Sequence, residues 1–387
     1  MPPARPAKRQ RRLPPDAAAA EETPSTSSRL RLLWLAVPAI IAGLAFYVAS
    51  GRELGVDFTG ANSASGAAEY TYLPALKKSN RDPFVVADLP GKGKGLVATR
   101  DIKQGELVIQ ESPLFTVPTS TSESPTALIS RLLAAADPVG RAAFLKLSYV
   151  HFPEGLDPES NPAEVALAIF QTNAVAAGDQ AGVFPRMARL NHGCSRAFNV
   201  VYTWREREQQ LFVHALRNIS WGQELLTTYT DTKRTRRERR EFLSQQYGFK
   251  CTCAVCSLDA AASKDSDRRL TGITQLYGHL SSWGNGAIGG VEAIRTINEI
   301  WKLEDEEGYW SERGRLAADG AWIAASHSDA PAARLWAQLA IKWYTIEAGA
   351  DNDLVLDIER TASDPQGHRA WGLREPLAVG GPLTQGV

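Results

Sequence analysis

The chain has 387 residues, 44% of them hydrophobic and 22% charged, an ordinary globular composition with room for two compact domains. Its 43 basic and 43 acidic side chains cancel, so no global field draws it to nucleic acid, and direct nucleic-acid binding is not favoured. Local basic runs occur at Arg9 to Arg12 and Arg234 to Arg240, but Glu238 and Glu241 interleave the second, which reads as a solvated helix face.

Residues 1–28 are rich in Pro, Ala, Ser, Arg and Glu and are expected to be disordered. Leu32 to Gly51 follows without a charge, roughly twenty residues, the length that crosses a bilayer about 30 Å thick. Pro38 and Gly43 are tolerated in membrane helices, and Trp34 and Tyr47 sit near the two ends as interface anchors. The expectation is a single transmembrane helix within 30–50, from Leu32 to about Ala49, followed by a Gly/Ala/Ser-rich linker over 51–81. A cleaved or mispredicted leader is the alternative and would leave a soluble mature protein; a soluble cytoplasmic or nuclear protein is the alternative placement.

From Phe84 short β segments broken by glycine begin, F-V-V-A-D-L-P and G-L-V-A-T-R-D, then a Val/Ile/Leu run after a Gln104-Gly105 turn. They predict a small, irregular β core. Ser124-Pro125, Asp137-Pro138 and Asn161-Pro162 each set a capping side chain before proline at a first helical position, so helices interrupt that core. After the third start, Val165, Leu167, Ile169 and Phe170 are apolar around the circumference and predict a buried helix. Strands resume at N-V-V-Y-T-W and Q-Q-L-F-V-H-A-L-R around a charged hairpin tip, Arg205 to Glu208.

Beyond Cys256 the spacing turns helical, at Ile294, Ile297, Ile300 and Trp301, then at Leu316, Ala317, Gly320 and Ile323. A further helix begins after Asp329 and Pro331 and carries Leu335, Trp336, Leu339, Ala340, Trp343 and Tyr344. Glycine and proline cluster from Leu377 to Val387, which predicts a frayed tail.

The four cysteines carry most of the chemical information. Cys251, Cys253 and Cys256 form a C-T-C-A-V-C cluster, and Cys194 lies far upstream in Asn191-His192-Gly193-Cys194. A structural zinc takes four thiolate or imidazole ligands in a tetrahedron, and a long loop can bring Cys194 to the other three. Disulfides fit poorly, because Cys251 and Cys253 are too close to bridge comfortably and the cluster leaves one thiol over. Three incidental thiols beside a buried one is the plainer alternative. His192 competes as a ligand, but four cysteines already complete a site.

Four motifs stand in order along the chain: G-K-G-K-G-L-V-A (Gly91 to Ala98), R-L-N-H-G-C (Arg189 to Cys194), G-Q-E-L-L-T-T-Y-T-D (Gly222 to Asp231) and Y-G-F-K-C-T-C-A-V-C (Tyr247 to Cys256). Together they resemble the SET-domain protein lysine methyltransferases, in a fungal-type, SET–MYND-like form without the MYND finger, for which no cysteine remains. The resemblance implies a mostly β SET fold of short irregular sheets with a pseudoknot, over 82–232, interrupted by a helical insert at about 124–178. It further implies a post-SET zinc-binding segment over 233–258 and an α-helical, TPR-like C-terminal domain over 265–375. No regular repeat period is visible there, so an ordinary helical bundle reads equally well.

The same resemblance implies S-adenosylmethionine-dependent methyl transfer to a lysine of a histone or non-histone protein, with a structural zinc on Cys194, Cys251, Cys253 and Cys256. Tyr229 takes the place of the catalytic tyrosine, whose hydroxyl lines the lysine channel; by itself it reads as a strand-end tyrosine packing by its ring. Asn191 and His192 would hold the cofactor through main chain and amide, with Lys94, Gly95 and Leu96 as a second contact where glycine lets backbone approach closely. A Gly-Lys-Gly hairpin turn is the ordinary reading of that stretch. Asn173 would approach the cofactor or simply end a helix. Phe249 would stack on the adenine and Tyr247 would line the channel, unless both are core aromatics. One departure stands out: Ser195-Arg196-Ala197-Phe198-Asn199 is longer than the family's segment after the cysteine and lacks its proline. A catalytically silent scaffold, with a partner on the helical domain, is the reading from another class. The catalytic domain is expected on the cytosolic side of a membrane bound through the N-terminal helix.

Overall fold

The computed structural model describes residues 83–383. Strands β1 (Phe84–Leu89) and β2 (Gly93–Ala98) form an antiparallel hairpin, followed by β3 (Leu107–Glu111) and β4 (Phe115–Pro118). Helices α1 (Pro125–Ala135), α2 (Pro138–Phe144) and α3 (Pro162–Asn173) then interrupt the β region. All three start at the expected prolines, but only Asp137 caps with its side chain, accepting from the amides of Val139 and Gly140. Strands β5 (Val175–Ala177), β6 (Gln180–Val183), β7 (Asn191–His192), β8 (Val200–Arg205), β9 (Gln210–Ala215) and β10 (Glu224–Thr227) complete the β part.

The strands make three small sheets, β1-β2-β10-β7, β3-β9-β8 and β4-β6-β5. All pairings are antiparallel except β7 with β10, where Asn191 lies opposite Leu226 and His192 opposite Thr227. Leu96, Ile109, Phe184, Val200, Val213 and Leu225 fill the core between the first two sheets. The insert packs on the third sheet through Phe115, which meets Phe144 at 5.6 Å and Phe170 at 6.1 Å between ring centroids. Burying each such side chain contributes about 1.5–3 kcal/mol. Short irregular sheets split by inserted helices are thus what the chain forms, as the sequence predicts.

Helix α4 (Arg236–Tyr247) opens on a capping box, Thr235 with Glu238, and ends at Gly248 in the left-handed region, φ +69°. The chain then runs through the three clustered cysteines into α5 (Ala260–Ser281), α6 (Gly290–Glu307), α7 (Arg313–Ser326), α8 (Ala330–Ala348) and α9 (Asp353–Ser363). The predicted helical positions hold: Ile294, Ile297, Ile300, Trp301, Leu316, Ala317, Trp336, Trp343 and their neighbours form one core, and only Leu335 of the set faces solvent.

Three expectations need correction here. Arg205 is not part of an exposed hairpin tip; it is buried in β8, donates to both carboxylate oxygens of Asp351 at 2.7 and 2.8 Å and to the Ala348 carbonyl at 2.7 Å, and ties the β region to the helical domain. The C-terminal segment does not fray as far as residue 383: the Val379 amide donates to Asp329, the Trp336 indole to the Gly380 carbonyl and the Leu383 amide to Asn298.

The third correction concerns the membrane. The expected tail 1–28, transmembrane helix at Leu32–Ala49 and linker 51–81 lie outside the described residues. Among the described residues no helix is long and apolar enough to cross a membrane. The helices of sufficient length carry charge along them, Lys264, Asp265, Asp267, Arg268 and Arg269 in α5, Arg295, Glu299 and Lys302 in α6, and Arg334, Lys342 and Glu347 in α8. Each would place ionised groups in hydrocarbon at a cost of about 2.5–3.5 kcal/mol apiece. No described helix supports the membrane-anchored, single-pass placement or the membrane as a partner, and neither is carried further.

Candidate active site

The parallel pairing of β7 on β10 builds the site. The Gly193 amide donates to the Thr227 carbonyl at 2.8 Å, and the Asn199 amide donates to the Leu226 carbonyl at 2.9 Å, so the chain between them loops over the end of β10. Asn199 is fully buried; its side chain donates to the Glu224 carbonyl and accepts from the Leu226 amide, at 2.9 and 2.8 Å. Gly193 has to be glycine here, because a Cβ would lie 2.8 Å from the Phe198 nitrogen and 3.0 Å from the Ala197 carbonyl carbon, both backbone.

A cleft of about 380 Å³ opens beside this crossing. Lys94, Asn173, Asn191, His192, Tyr229, Tyr247 and Phe249 all line it, so residues 155 positions apart in the chain meet in one cavity (249 minus 94). Gly95 and Leu96 do not. Leu96 is wholly buried in the β core, and Gly95 stands behind Asn191, where a Cβ would come within 2.6 Å of the Asn191 amide nitrogen. That close approach lets Asn191 donate to Glu224 at 2.9 Å, and Lys92 closes on the same carboxylate at 2.5 Å. Asn173 ends α3 and also faces the cleft. Its amide nitrogen donates to the carbonyls of Ser148 and Ile169, at 2.7 and 2.8 Å, which leaves its oxygen as the acceptor available to the cavity.

The aromatic wall is continuous. The Tyr229 ring lies 4.9 Å from Tyr247, 5.5 Å from His192 and 6.5 Å from Phe249. The Tyr229 hydroxyl donates to the Leu190 carbonyl at 2.6 Å, so its proton is spent on backbone and its oxygen lone pairs remain for the cleft. Burial first, then the nearby Tyr247, raises the Tyr229 pKa well above the phenol range, and the group stays neutral. Tyr202 on β8 lines the same cleft, its pKa raised by burial and then by Tyr247. Tyr202 and Asn199 carry no motif of their own and stand inside a strand pattern, so sequence reading gave neither a site role.

His192 faces two ways. Its Nδ1 accepts from the Tyr229 amide at 3.0 Å, and its Nε2 lies 3.1 Å from the Cys194 sulfur. Burial, the largest influence, lowers its pKa to about 4.

The four cysteines converge behind this wall. All are buried, their sulfurs lie within 4.8 Å of one another, and Cys194 to Cys256 measures 3.7 Å. An ideal ZnS₄ tetrahedron with bonds of about 2.3 Å has an edge of about 3.8 Å. Cys251 and Cys253 also line the cleft. The basic run on α4 turns inward at the i, i+3, i+4 positions Arg236, Arg239 and Arg240 instead of facing solvent throughout. Arg240 donates to the carbonyls of Cys251 and Cys256 at 3.2 and 2.7 Å, and Arg236 to the Leu258 carbonyl at 2.7 Å. Arg239 is 1% exposed; burial alone would lower its pKa, but the charges of Cys194 and Cys256 raise it. A buried guanidinium against a sulfur cluster is the counter-charge a tetrathiolate site calls for.

Comparison with known proteins gives the following. Residues 93–230 match the SET domain family. The chain is 27% identical over 293 residues, 74% of its length and 85% of the relative's, to "Histone-lysine N-methyltransferase set5" of Schizosaccharomyces pombe. It is 32% identical over 126 residues to "Histone-lysine N-methyltransferase SMYD3" of Homo sapiens, covering 32% of this chain and 25% of that protein. Among solved structures, "Structure of Rubisco LSMT bound to AdoMet" aligns at 12% identity with a TM-score of 0.32, over 77% of this chain and 92% of that one.

Proposed function

We propose that this chain is a SET-domain protein lysine methyltransferase, which transfers a methyl group from S-adenosylmethionine to the side-chain nitrogen of a lysine in a protein substrate. The observation that carries this is the Tyr229 hydroxyl, held by the Leu190 carbonyl inside a cleft that also presents Asn191, His192 and Phe249. The chemistry of the lining fits a cofactor with an adenine, a ribose and an amino-acid tail: an aromatic face, a free amide oxygen at Asn173 and a cation at Lys94.

S-adenosylmethionine, when bound, supplies an electrophilic methyl on a sulfonium. The protein's part is alignment, desolvation and weak polarisation. Tyr229, Tyr247 and Tyr202 make an aromatic channel in which the neutral amine of the incoming lysine is favoured over the ammonium, whose reference pKa is about 10.4. The Tyr229 oxygen would orient the methyl through polarised C–H contacts, each worth about 0.5–1 kcal/mol. Phe249 would cover the adenine, and Asn191 with the main chain of His192 would hold the donor on the β7 side.

Zinc fits Cys194, Cys251, Cys253 and Cys256, and would supply a structural cross-link between the β7 loop and the segment after α4. In this reading residues 82–232 are the catalytic domain, 233–258 the zinc-binding segment and 265–375 a helical domain that shapes substrate access. Lysines of histone or non-histone proteins would enter the same channel.

Calorimetric titration of S-adenosylmethionine into full-length protein tests the proposal. One-to-one binding, abolished by saturating S-adenosylhomocysteine, is the expected result. Absence of heat would favour the silent-scaffold reading.

A further inference from the structure

The segment after Cys194 that departs from the family pattern is where the helical domain grips the site. Ser195 is 1% exposed and sits at φ +33°, a backbone region that residues other than glycine seldom occupy. Its hydroxyl donates to Glu307 Oε1 at 2.8 Å. Glu307 is the last residue of α6 and is wholly buried; Ser266 of α5 donates to the same oxygen at 2.7 Å, and Arg269 reaches the other oxygen at 3.0 Å through Nε and 2.9 Å through Nη2. Three residues further on, Phe198 packs edge-on against Tyr309 with centroids 5.7 Å apart. The extra length therefore forms a loop whose two ends, Cys194 and Asn199, belong to the site, and whose middle belongs to an interface with α5 and α6.

We propose that Glu307 is a positioning residue for the cofactor: through Ser195 it holds the Asn191–Cys194 loop in its binding register, so that cofactor affinity depends on a contact made by the helical domain. The proposal rests on the methyltransferase reading above. Its physical basis is that Ser195, next to Cys194, is where the helical domain hydrogen-bonds to the loop. Gly193 is pinned to Thr227, Asn199 to β10 and the Cys194 sulfur to the cysteine cluster and Arg239, while from the helical domain the fully buried Glu307 carboxylate holds Ser195 and Tyr309 packs on Phe198. A carboxylate fixed by Arg269 is a rigid acceptor, because its own position is set by charge-assisted bonds.

The test uses the full-length protein and calorimetry with S-adenosylmethionine, alongside zinc content and thermal unfolding. Ser195→Ala should weaken cofactor binding about fivefold and Glu307→Ala about tenfold. The double variant should be no weaker than Glu307→Ala alone, since the two residues act through one bond. Glu307→Gln, which keeps an acceptor for Ser195, should stay closer to wild type than Glu307→Ala. Zinc should remain at one equivalent in Ser195→Ala. Val355→Ala, in the buried face of α9 away from the loop, serves as the control for simple destabilisation: it should lower the unfolding temperature and leave affinity unchanged. The proposal is overturned if Ser195→Ala binds cofactor within twofold of wild type, or if the two single effects multiply in the double variant. Failure of the wild type to bind would instead remove the methyltransferase reading, and this proposal with it.

Discussion

The Tyr229 amide donates to Nδ1 of His192 at 3.0 Å, and that bond fixes where the imidazole carries its proton. With Nδ1 accepting, the hydrogen of the neutral ring sits on Nε2, and Nε2 lies 3.1 Å from the Cys194 sulfur. One buried ring thus joins the backbone of the cleft-lining Tyr229 to the cysteine cluster. Any movement of the cluster is transmitted to Tyr229 through two hydrogen bonds.

Tyr229→Phe separates chemistry from binding. In the proposed mechanism the hydroxyl orients the methyl and its one hydrogen bond goes to the Leu190 carbonyl, so turnover should fall by about a hundredfold or more while cofactor affinity stays within about threefold. The change also leaves the Leu190 carbonyl without its donor, costing about 1–2 kcal/mol of stability. Steady-state kinetics beside calorimetry measures both, and a large loss of affinity would place the hydroxyl on the cofactor instead.

Asn199→Ala should be among the most damaging single changes outside the cysteines. It removes an amide that bonds the Glu224 carbonyl and the Leu226 amide in a site with no access to water. Leaving two buried backbone groups unpaired costs about 2–4 kcal/mol. Urea unfolding should show this as a lowered midpoint, and a shift below about 0.5 kcal/mol would contradict the role given to Asn199.

Arg239→Leu removes the buried counter-charge beside Cys194 and Cys256. Zinc release to a competing chelator should accelerate about tenfold, while zinc at purification stays stoichiometric, because the four ligands remain. Unchanged release kinetics would show that the thiolates need no help from Arg239.

His214 contributes one share of the pH dependence of stability, beside that of His192. Burial, then the charge of Arg205, lowers its pKa from 6.5 to about 4. Below pH 6.5 the unfolded chain takes up a proton that the folded protein refuses, so stability is full above pH 6.5 and is lost as pH falls toward 4. The shift corresponds to about 3 kcal/mol. Urea midpoints measured across that window should fall in wild type and flatten by this amount in His214→Gln; parallel curves would contradict it.

Much of this site was legible in the sequence because its chemistry depends on rare residues at fixed spacing. Cys251, Cys253 and Cys256 lie within six positions, and the Asn191–Cys194 tetrad supplied the partner. Prolines at 125, 138 and 162 marked helix starts for steric reasons that hold in any context. What could not be read comes from tertiary contacts. Arg205 looked like a hairpin tip because charge near a turn is usually solvated, and nothing local announced Asp351 across the domain boundary. The α4 arginines looked solvated because the sulfur charge they face lies in another segment. Ser195, Phe198 and Asn199 registered only as a departure from a pattern, since their partners Glu307, Tyr309 and Leu226 lie between 27 and 112 residues away.

Mass spectrometry of an array of lysine-containing peptides, incubated with the zinc-replete protein and S-adenosylmethionine, tests the central claim most directly. Wild type should add methyl groups to lysine nitrogens of a subset of peptides, and Tyr229→Phe should leave those same peptides unmodified. A wild type that binds the cofactor yet methylates no lysine on the array, or a Tyr229→Phe variant as active as wild type, would contradict it.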